Sequence, residues 1–350
     1  MTEATVQSPV AQVLPGIWRA TNEVVSGRYR LTNNAYLIVD QGEAALVDTA
    51  WWHDEGAHLD ALFAASGVAP SAVTTIVLTH AHRDHAGNAD RLAARTGATV
   101  ALHRAEQSTV ESLAGYQGLP DEASAVRWYE AQGFPTGEAQ RIVRGKLPDR
   151  EFDVSRPRWL TGDETIRVGS RRLEVIETPG HTPGHVCLLE RATGVLFSGD
   201  ALLPRGHGNP HVTVRAFTPP DPLSDYVAGI ESLRAEGGAI TVCLPGHGPV
   251  VADPLRLIDD HLRYAEAKLE PAAAALDSTP RTAFDIVSRM PWRGGSATFA
   301  DLDGDELFLS FADGLARLRR LVSLGHAARR LDGALELYSL ASLPESDGPR

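Results

Sequence analysis

Two hydrophobic rhythms alternate along the chain. Short apolar runs closed by turn residues are interleaved with longer stretches whose apolar positions recur every three or four residues. VLPGIWRA, NAYLIVD and AALVDTA read as strands, residues 54–66 as a helix and TTIVLTH as a buried strand; residues 88–96 and the run ATVALH supply the next helix and strand. This alternation belongs to the α/β class. Residues 104–150 interrupt it with helical pieces at 107–114 and 123–132 and turns at Gly118, Pro120, Gly133 and Pro135, and they read as a helical insertion placed to act as a lid. A second strand-rich block follows, ETIRV, RRLEVIET, HVCLLE and GVLFSGD, then a helix over Pro222–Glu236 and the strand AITVCLP. Strands followed by a helix thus occur twice, without a sequence repeat.

Beyond Asp253 the pattern is helical over 254–276, in TAFDIVSRM and over 306–324, and HAARRLDGALELYSL reads as a hairpin turning at Asp332-Gly333. Helix, helix, helix, hairpin is the order of a winged-helix module. The chain therefore divides into a main domain over residues 1–253, with the insertion at 104–150, and a winged-helix-like domain over 254–350.

At 350 residues and 43% apolar content, the chain has enough material for a full core. No apolar run approaches the roughly 20 residues that cross a bilayer, and MTEATVQSPVAQ lacks a basic region followed by an apolar one, so a soluble, cytoplasmic protein without a membrane partner is expected. Cys187 and Cys243 lie in strand-like runs and read as small buried hydrophobes. The net charge of −12 repels phosphate at long range and disfavours nucleic acid as a partner. A homodimer is compatible with the composition but is not read from any motif.

The chemistry collects where strands end. After Thr74-Thr75-Ile76-Val77-Leu78 comes THAHRDHAG, which places His80, His82, Asp84 and His85 within six positions, with Gly87 suited to a backbone bend before the helix. Imidazole and carboxylate are ligands that zinc accepts, and a loop at a strand end can aim several at one point. The spacing lets His80 and His82 converge on one ion while Asp84 and His85 face a second. Three more strand ends carry candidate ligands: ETPGHTPGH with His181 and His185, FSGD with Asp200, and PGHG with His247.

These motifs, in this order over roughly residues 13–253, resemble those of the metallo-β-lactamase superfamily, and within it the hydroxyacylglutathione hydrolase (glyoxalase II) pattern. The resemblance implies an αββα metallo-β-lactamase sandwich with a helical insertion as the catalytic domain. It implies that His80, His82 and His181 hold one metal, that Asp84, His85 and His247 hold a second, and that Asp200 bridges both. Two zinc ions are the expected cofactors, with iron or manganese as the alternatives. Asp48, closing AALVD, would orient ligands without binding metal, and His185 would stand beside the site in support. Asp84 and His185 are the expected catalytic side chains. His82 stands where di-iron flavoprotein relatives carry Glu, and Asp200 where one class of true β-lactamases carries Cys, so a two-metal hydrolase is favoured over redox chemistry or antibiotic resistance.

Two such ions would share a hydroxide as nucleophile, and with Asp84 and Asp200 the set keeps a formal charge of about +1, which attracts an oxyanion. The first reading is a hydrolase of a small thioester, ester or lactone, so a small-molecule acyl substrate is the expected partner. The acidic charge and the aromatic residues Tyr116, Trp128, Tyr129 and Phe134 of the insertion favour it, although each aromatic alone reads as ordinary helix packing.

The alternative is a single-strand endoribonuclease gripping RNA through Arg317, Arg319, Arg320, Arg329 and Arg330. This layout resembles a group that includes the mitochondrial endoribonuclease and the fungal polyketide thioesterases. The bland reading of the arginines, a solvated face or a docking surface onto an acidic core, is preferred. A ligand sensor built on a dead hydrolase is disfavoured by the complete ligand set. His53, His58, His261 and His326 read as surface residues, and His207 and His211 lie in a loop expected to border the cleft.

Overall fold

The computed structural model describes residues 10–26, 29–51, 56–113, 119, 121–145, 154–204, 220–302 and 304–341. Strands β1 (Val10–Leu14), β2 (Ile17–Ser26), β3 (Tyr29–Asp40) and β4 (Glu43–Val47) form an antiparallel meander. Strands β5 (Val73–Val77), β6 (Thr99–His103) and β7 (Arg158–Leu160) extend it in parallel to a seven-stranded sheet. The second sheet runs in the order β12 (Val242–Pro245), β11 (Val195–Gly199), β10 (Val186–Glu190), β9 (Arg171–Glu177) and β8 (Thr165–Val168).

The two sheets face each other, and the period-two alternation of side chains decides which residues meet between them. Tyr36, Ile38, Val47 and Val77 point inward to meet Val175, Leu188, Phe197 and Leu244 of the second sheet, with the Tyr36 and Phe197 rings edge-on at 5.5 Å. Their neighbours Leu37, Leu46 and Ile76 point outward, where helices α1 (Ala57–Ser66), α2 (Arg83–Ala86) and α3 (Ala89–Thr96) follow the strands. Leu59, Leu62 and Phe63 of α1 and Leu92 of α3 bury against that outer face. Both faces of each sheet are therefore covered, which is why the strands read as continuous apolar runs.

Helices α4 (Gln107–Leu113), α5 (Glu122–Ala131) and α6 (Thr136–Gly145) make up the described part of the insertion. The last of these, α6, is an element the hydrophobic pattern did not predict. On the far side, α7 (Pro222–Glu236) and α8 (Pro254–Ala267) cover the second sheet through Leu223, Ile230, Leu233, Ile258 and Ala265. Both start with an Asp-Pro pair: Asp221 accepts from the Ser224 N–H at 2.9 Å and Asp253 from the Arg256 N–H at 3.1 Å, with proline at the first helical position. The four layers form an αββα sandwich. Cys187 and Cys243 are buried in it as free thiols.

The remaining elements are α9 (Leu269–Ala274), β13 (Arg281–Thr282), α10 (Ala283–Val287), α11 (Gly304–Ser323) and the hairpin β14 (Ala327–Asp332) with β15 (Leu335–Leu340). The strands form a three-stranded sheet in the order β13-β15-β14, and Gly333 takes the left-handed φ of 60° in the hairpin turn. This segment shares one core with the insertion. Phe134 stands 5.3 Å from the Tyr129 ring, 4.4 Å from Phe284 and 4.6 Å from Phe311, measured between centroids. Tyr129 and Phe134 thus serve packing, Trp128 lies partly buried against the same core, and Tyr116 lies outside the described residues.

Candidate metal centre

Strand β5 ends at Val77, and the loop beyond it must turn before α2. Asp48, just past β4, organises that turn: it holds a left-handed φ of 59° and accepts from the Thr79 N–H at 2.8 Å and from the Thr79 hydroxyl. Its Oδ2 lies 2.8 Å from His85 Nδ1. Gly87 needs no special backbone, since its φ is −59°; the unusual conformations fall at Asp48 and at Ala50, with φ of 53°.

His80 Nε2 and His181 Nε2 each lie 3.0 Å from His82 Nδ1. Around one tetrahedral ion with bonds of about 2.0–2.1 Å, donor atoms stand about 3.3 Å apart, so the three imidazoles are spaced for one ion. A second set lies beside them. His85 Nε2 and His247 Nε2 are 3.3 Å apart, and Asp84 Oδ2 is 3.3 Å from His247 Nε2 and 3.7 Å from His85 Nε2.

Asp200 stands between the sets. Its Oδ2 lies 3.4 Å from His181 Nε2 and 3.3 Å from His247 Nε2, and its Oδ1 lies 3.3 Å from His85 Nε2. Seven side chains from four strand-end loops thus converge.

Three of the nitrogens facing away from this point have partners of their own, while His181 Nδ1 is buried without one. His85 Nδ1 is held by Asp48, His247 Nδ1 by the Thr32 carbonyl at 2.7 Å, and His80 Nδ1 by the Thr79 hydroxyl at 3.1 Å. Assigned from these acceptors, each of these three rings carries its N–H outward and turns the other nitrogen's lone pair inward. Lone pairs and carboxylate oxygens pressed this close repel one another unless a cation lies between them, and a divalent metal ion is the cation that such a donor set fits.

Charge is divided across the site. Burial, with neighbouring imidazoles, holds His80 well below the usual histidine range; burial likewise lowers His181. Burial opposes charge on His85 and His247 too, but the carboxylates of Asp200 and Asp84, joined at His85 by Asp48, outweigh it: His85 is held well above its usual range and His247 is raised to about 10. The same pairs hold Asp84 and Asp200 low against the opposing effect of burial. Three carboxylates therefore draw positive charge towards the Asp84–His247 end. That end also opens to solvent, the side chains of Asp84 and His247 being 19% and 15% exposed against 1% for His85.

His185 is buried, and both ring nitrogens are engaged: Nε2 accepts from the Asp200 N–H at 2.9 Å and Nδ1 lies 2.8 Å from the Thr178 hydroxyl. Burial, then the nearby His181, lowers it to about 3. It is thus a neutral acceptor that fixes the backbone of Asp200.

The sequence reading missed the floor of the site, where β3 supplies Thr32, Asn33 and Asn34. Asn33 Nδ2 donates to the Asp84 carbonyl at 3.0 Å and to its Oδ2 at 3.2 Å. Asn34 Nδ2 donates to the carbonyls of Pro245 and Gly248. The signal was a polar pair, Asn33-Asn34, directly before the apolar run Ala35–Val39. Gly246 is required by closeness: a Cβ there would stand 2.6 Å from His85 Cε1 and 2.7 Å from Asp200 Oδ1.

Two expectations are corrected. His58 and His261, expected at the surface, are buried; His261 is held by the Tyr226 hydroxyl at 2.5 Å and the Leu203 carbonyl at 2.9 Å, partners far away in the chain. His326 is exposed as expected, while His53, His207 and His211 lie outside the described residues. Among the arginines, Arg317 pairs with Asp313, Arg320 lies 3.6 Å from Asp221, Arg329 lies 2.8 Å from Glu336 and Arg330 lies 3.7 Å from Asp332. Among the described residues, no helix is long and apolar enough to cross a membrane.

The chain is similar to several known proteins. The chain is 27% identical over 286 residues to the probable metallo-hydrolase YqjP of Bacillus subtilis, covering 79% of this chain and 84% of that one. It is 32% identical over 176 residues to the acyl-coenzyme A thioesterase MBLAC2 of Gallus gallus, a match spanning 49% of this chain and 55% of the thioesterase. The crystal structure of the metallo-beta-lactamase family protein TTHA1429 from Thermus thermophilus superposes with a TM-score of 0.71 at 28% identity, covering 94% of this chain and all of that one. The family model of the metallo-beta-lactamase superfamily matches residues 28–247, which contain every converging side chain described above. The chain belongs to the metallo-beta-lactamase superfamily, in which metal-dependent hydrolases are found.

Proposed function

We propose that the protein is a dinuclear metal hydrolase of small acyl substrates, a thioester, ester or lactone. His80, His82 and His181 would hold one ion, Asp84, His85 and His247 the other, and Asp200 would lie between them. The observation that carries this reading is the convergence of two three-membered donor sets on either side of one carboxylate. Zinc is the metal that the donor chemistry favours. When bound, divalent ions supply a Lewis acid and a water acidic enough to act as a nucleophile near neutral pH.

The chain's own groups supply position and orientation. Asp48, Thr79 and the Thr32 carbonyl fix the rings, and His185 fixes Asp200. Asp84, steadied by Asn33 and facing the open end, is the group placed to accept a hydrogen bond from the nucleophile and so orient it.

Support for acyl substrates comes from the activities for which relatives are named, acyl-coenzyme A thioesterase and hydroxyacylglutathione hydrolase. The intramolecular pairing of Arg317, Arg320 and Arg329 argues against a phosphate grip in the C-terminal segment. The test is a parallel hydrolysis assay of the metal-loaded protein on acyl-coenzyme A thioesters, simple lactones and a labelled single-stranded RNA, each with a chelator control. Chelator-sensitive turnover of an acyl substrate is expected. RNA cleavage without acyl turnover would place the protein in the endoribonuclease class instead.

A further inference from the structure

Glu106 ends a short 3₁₀ turn, Arg104–Glu106, directly after β6, and is completely buried. In sequence it looks like an acidic residue opening a surface helix. In the structure, its two carboxyl oxygens each accept one backbone hydrogen bond, and the two donors belong to different loops of the site. Oε2 accepts from the Ala81 N–H at 3.0 Å, and Oε1 accepts from the Gly184 N–H at 2.7 Å. Ala81 lies between His80 and His82, while Gly184 lies between His181 and His185.

The first loop hangs from the seven-stranded sheet and the second joins β9 to β10 of the other sheet, so one carboxyl group ties the two halves of the sandwich together beside the histidines. A further link, the Val186 N–H to the Thr79 carbonyl at 2.9 Å, joins the same loops. The approach at Gly184 is built for closeness. A Cβ on residue 184 would fall 2.7 Å from the Glu106 nitrogen and 2.8 Å from its Cγ, inside contact distance.

Burying a carboxyl group is costly, and two backbone amides offset that cost only while both loops stay in place. The span Glu106 fixes is the one across which His82 must meet His181 at 3.0 Å. The second donor set is held by other groups, Asp84 by Asn33, His85 by Asp48 and His247 by Thr32.

We propose that Glu106 is a positioning residue that sets the separation of the two histidine loops and so tunes metal affinity at the His80–His82–His181 set without equal effect on the other. The proposal rests on the dinuclear reading above. Its variants are Glu106→Gln, which turns an amide NH₂ towards one of the two N–H donors, and Glu106→Asp, which keeps the charge but is one methylene short.

The experiment titrates the metal-free wild type and variants with cobalt(II), following visible absorption, with His82→Ala marking the signal of the three-histidine set. Circular dichroism melting of the metal-free proteins runs alongside. The expected result is a loss of about 10–100-fold in affinity at the set that His82→Ala abolishes, the range typical for partners that orient metal ligands, with the other set changing much less. Equal weakening of both sets would overturn the proposal, as would a lowered melting temperature with both affinities unchanged. Absence of metal uptake by the wild type would instead defeat the dinuclear reading itself, so the two failures are distinguishable. If Glu106→Gln does not fold, Glu106→Asp decides.

Discussion

Replacing Asp48 by asparagine changes one oxygen for an NH₂ at nearly constant shape, and asparagine tolerates the left-handed backbone that position 48 adopts. The perturbation is therefore confined to one buried charge and the hydrogen bonds it accepts. Asp48 accepts three times, from the Thr79 N–H, the Thr79 hydroxyl and His85 Nδ1. An amide offers a single acceptor oxygen. If that oxygen stays with Thr79, the NH₂ faces His85 Nδ1, which must then give up its proton. His85 would carry its hydrogen on Nε2, and the lone pair aimed at Asp84, Asp200 and His247 would be lost. If the amide turns over, the NH₂ confronts the Thr79 N–H, and the loop between β5 and α2 loosens. Partners of this kind are worth about 10–100-fold in metal affinity, or about 1.4–2.8 kcal/mol at 1.4 kcal/mol per tenfold. Competition between Asp48→Asn and a chelator of known affinity reads this out, and the deficit should fall on the Asp84–His85–His247 set. Affinity within twofold of wild type at that set would refute the tautomer argument.

Other consequences can be checked separately. Gly246→Ala should lower kcat/KM on an acyl-coenzyme A thioester by more than tenfold, because the new Cβ falls 2.6 Å from His85 Cε1, 2.7 Å from Asp200 Oδ1 and 3.2 Å from the Gly199 carbonyl carbon; full activity would show that the site yields freely. Phe134→Ala should cost about 3–5 kcal/mol in a denaturant titration, because the ring fills the core shared by the insertion and the C-terminal segment; a loss below about 1 kcal/mol would mean that the two do not depend on each other.

Glu190 carries a pH signature. Burial pushes its carboxyl up, yet hydrogen bonds from Arg171 and Thr193 prevail and hold it below its ordinary value of 4.5. A carboxylate depressed on folding adds stability that is present above the unfolded pKa and is lost as pH falls through the folded one. Glu190→Gln should therefore be less stable than wild type at pH 7, with the gap narrowing as pH drops below 4.5; a gap independent of pH would contradict the assignment.

The sequence carried those features whose cause is local. Helix α7 is bounded by an Asp-Pro start and a Gly stop within the chain's own neighbourhood, and its limits were legible, as was the hairpin turn at Asp332-Gly333. The metal-grade side chains were legible because each follows an apolar strand and stands in a turn. What escaped depends on distant partners. Strand β7 is three residues long and exists through pairing with β6, and β13 is two residues held by β15. Helix α6 contains Gly137 and Gly145, which blur its local signal, and buries Ile142 and Val143 in a core completed by residues beyond 270. His261 reads as a polar position on an amphipathic helix until Tyr226 and Leu203 are brought to it. Thr32 and Asn34 serve the site only because β3 runs beneath a loop more than two hundred residues away in sequence, as the 215-residue separation of Thr32 and His247 and the 211-residue separation of Asn34 and Pro245 record.

The central claim is that two ions are held by this chain and that hydrolysis depends on both. The most direct measurement titrates the metal-free protein with zinc while following hydrolysis of an acyl-coenzyme A thioester, with bound metal determined at each point. The account predicts no turnover before metal is added and a plateau at about two zinc ions per chain, as a two-metal site requires. Turnover in the metal-free protein, or a plateau after a single ion, would contradict it.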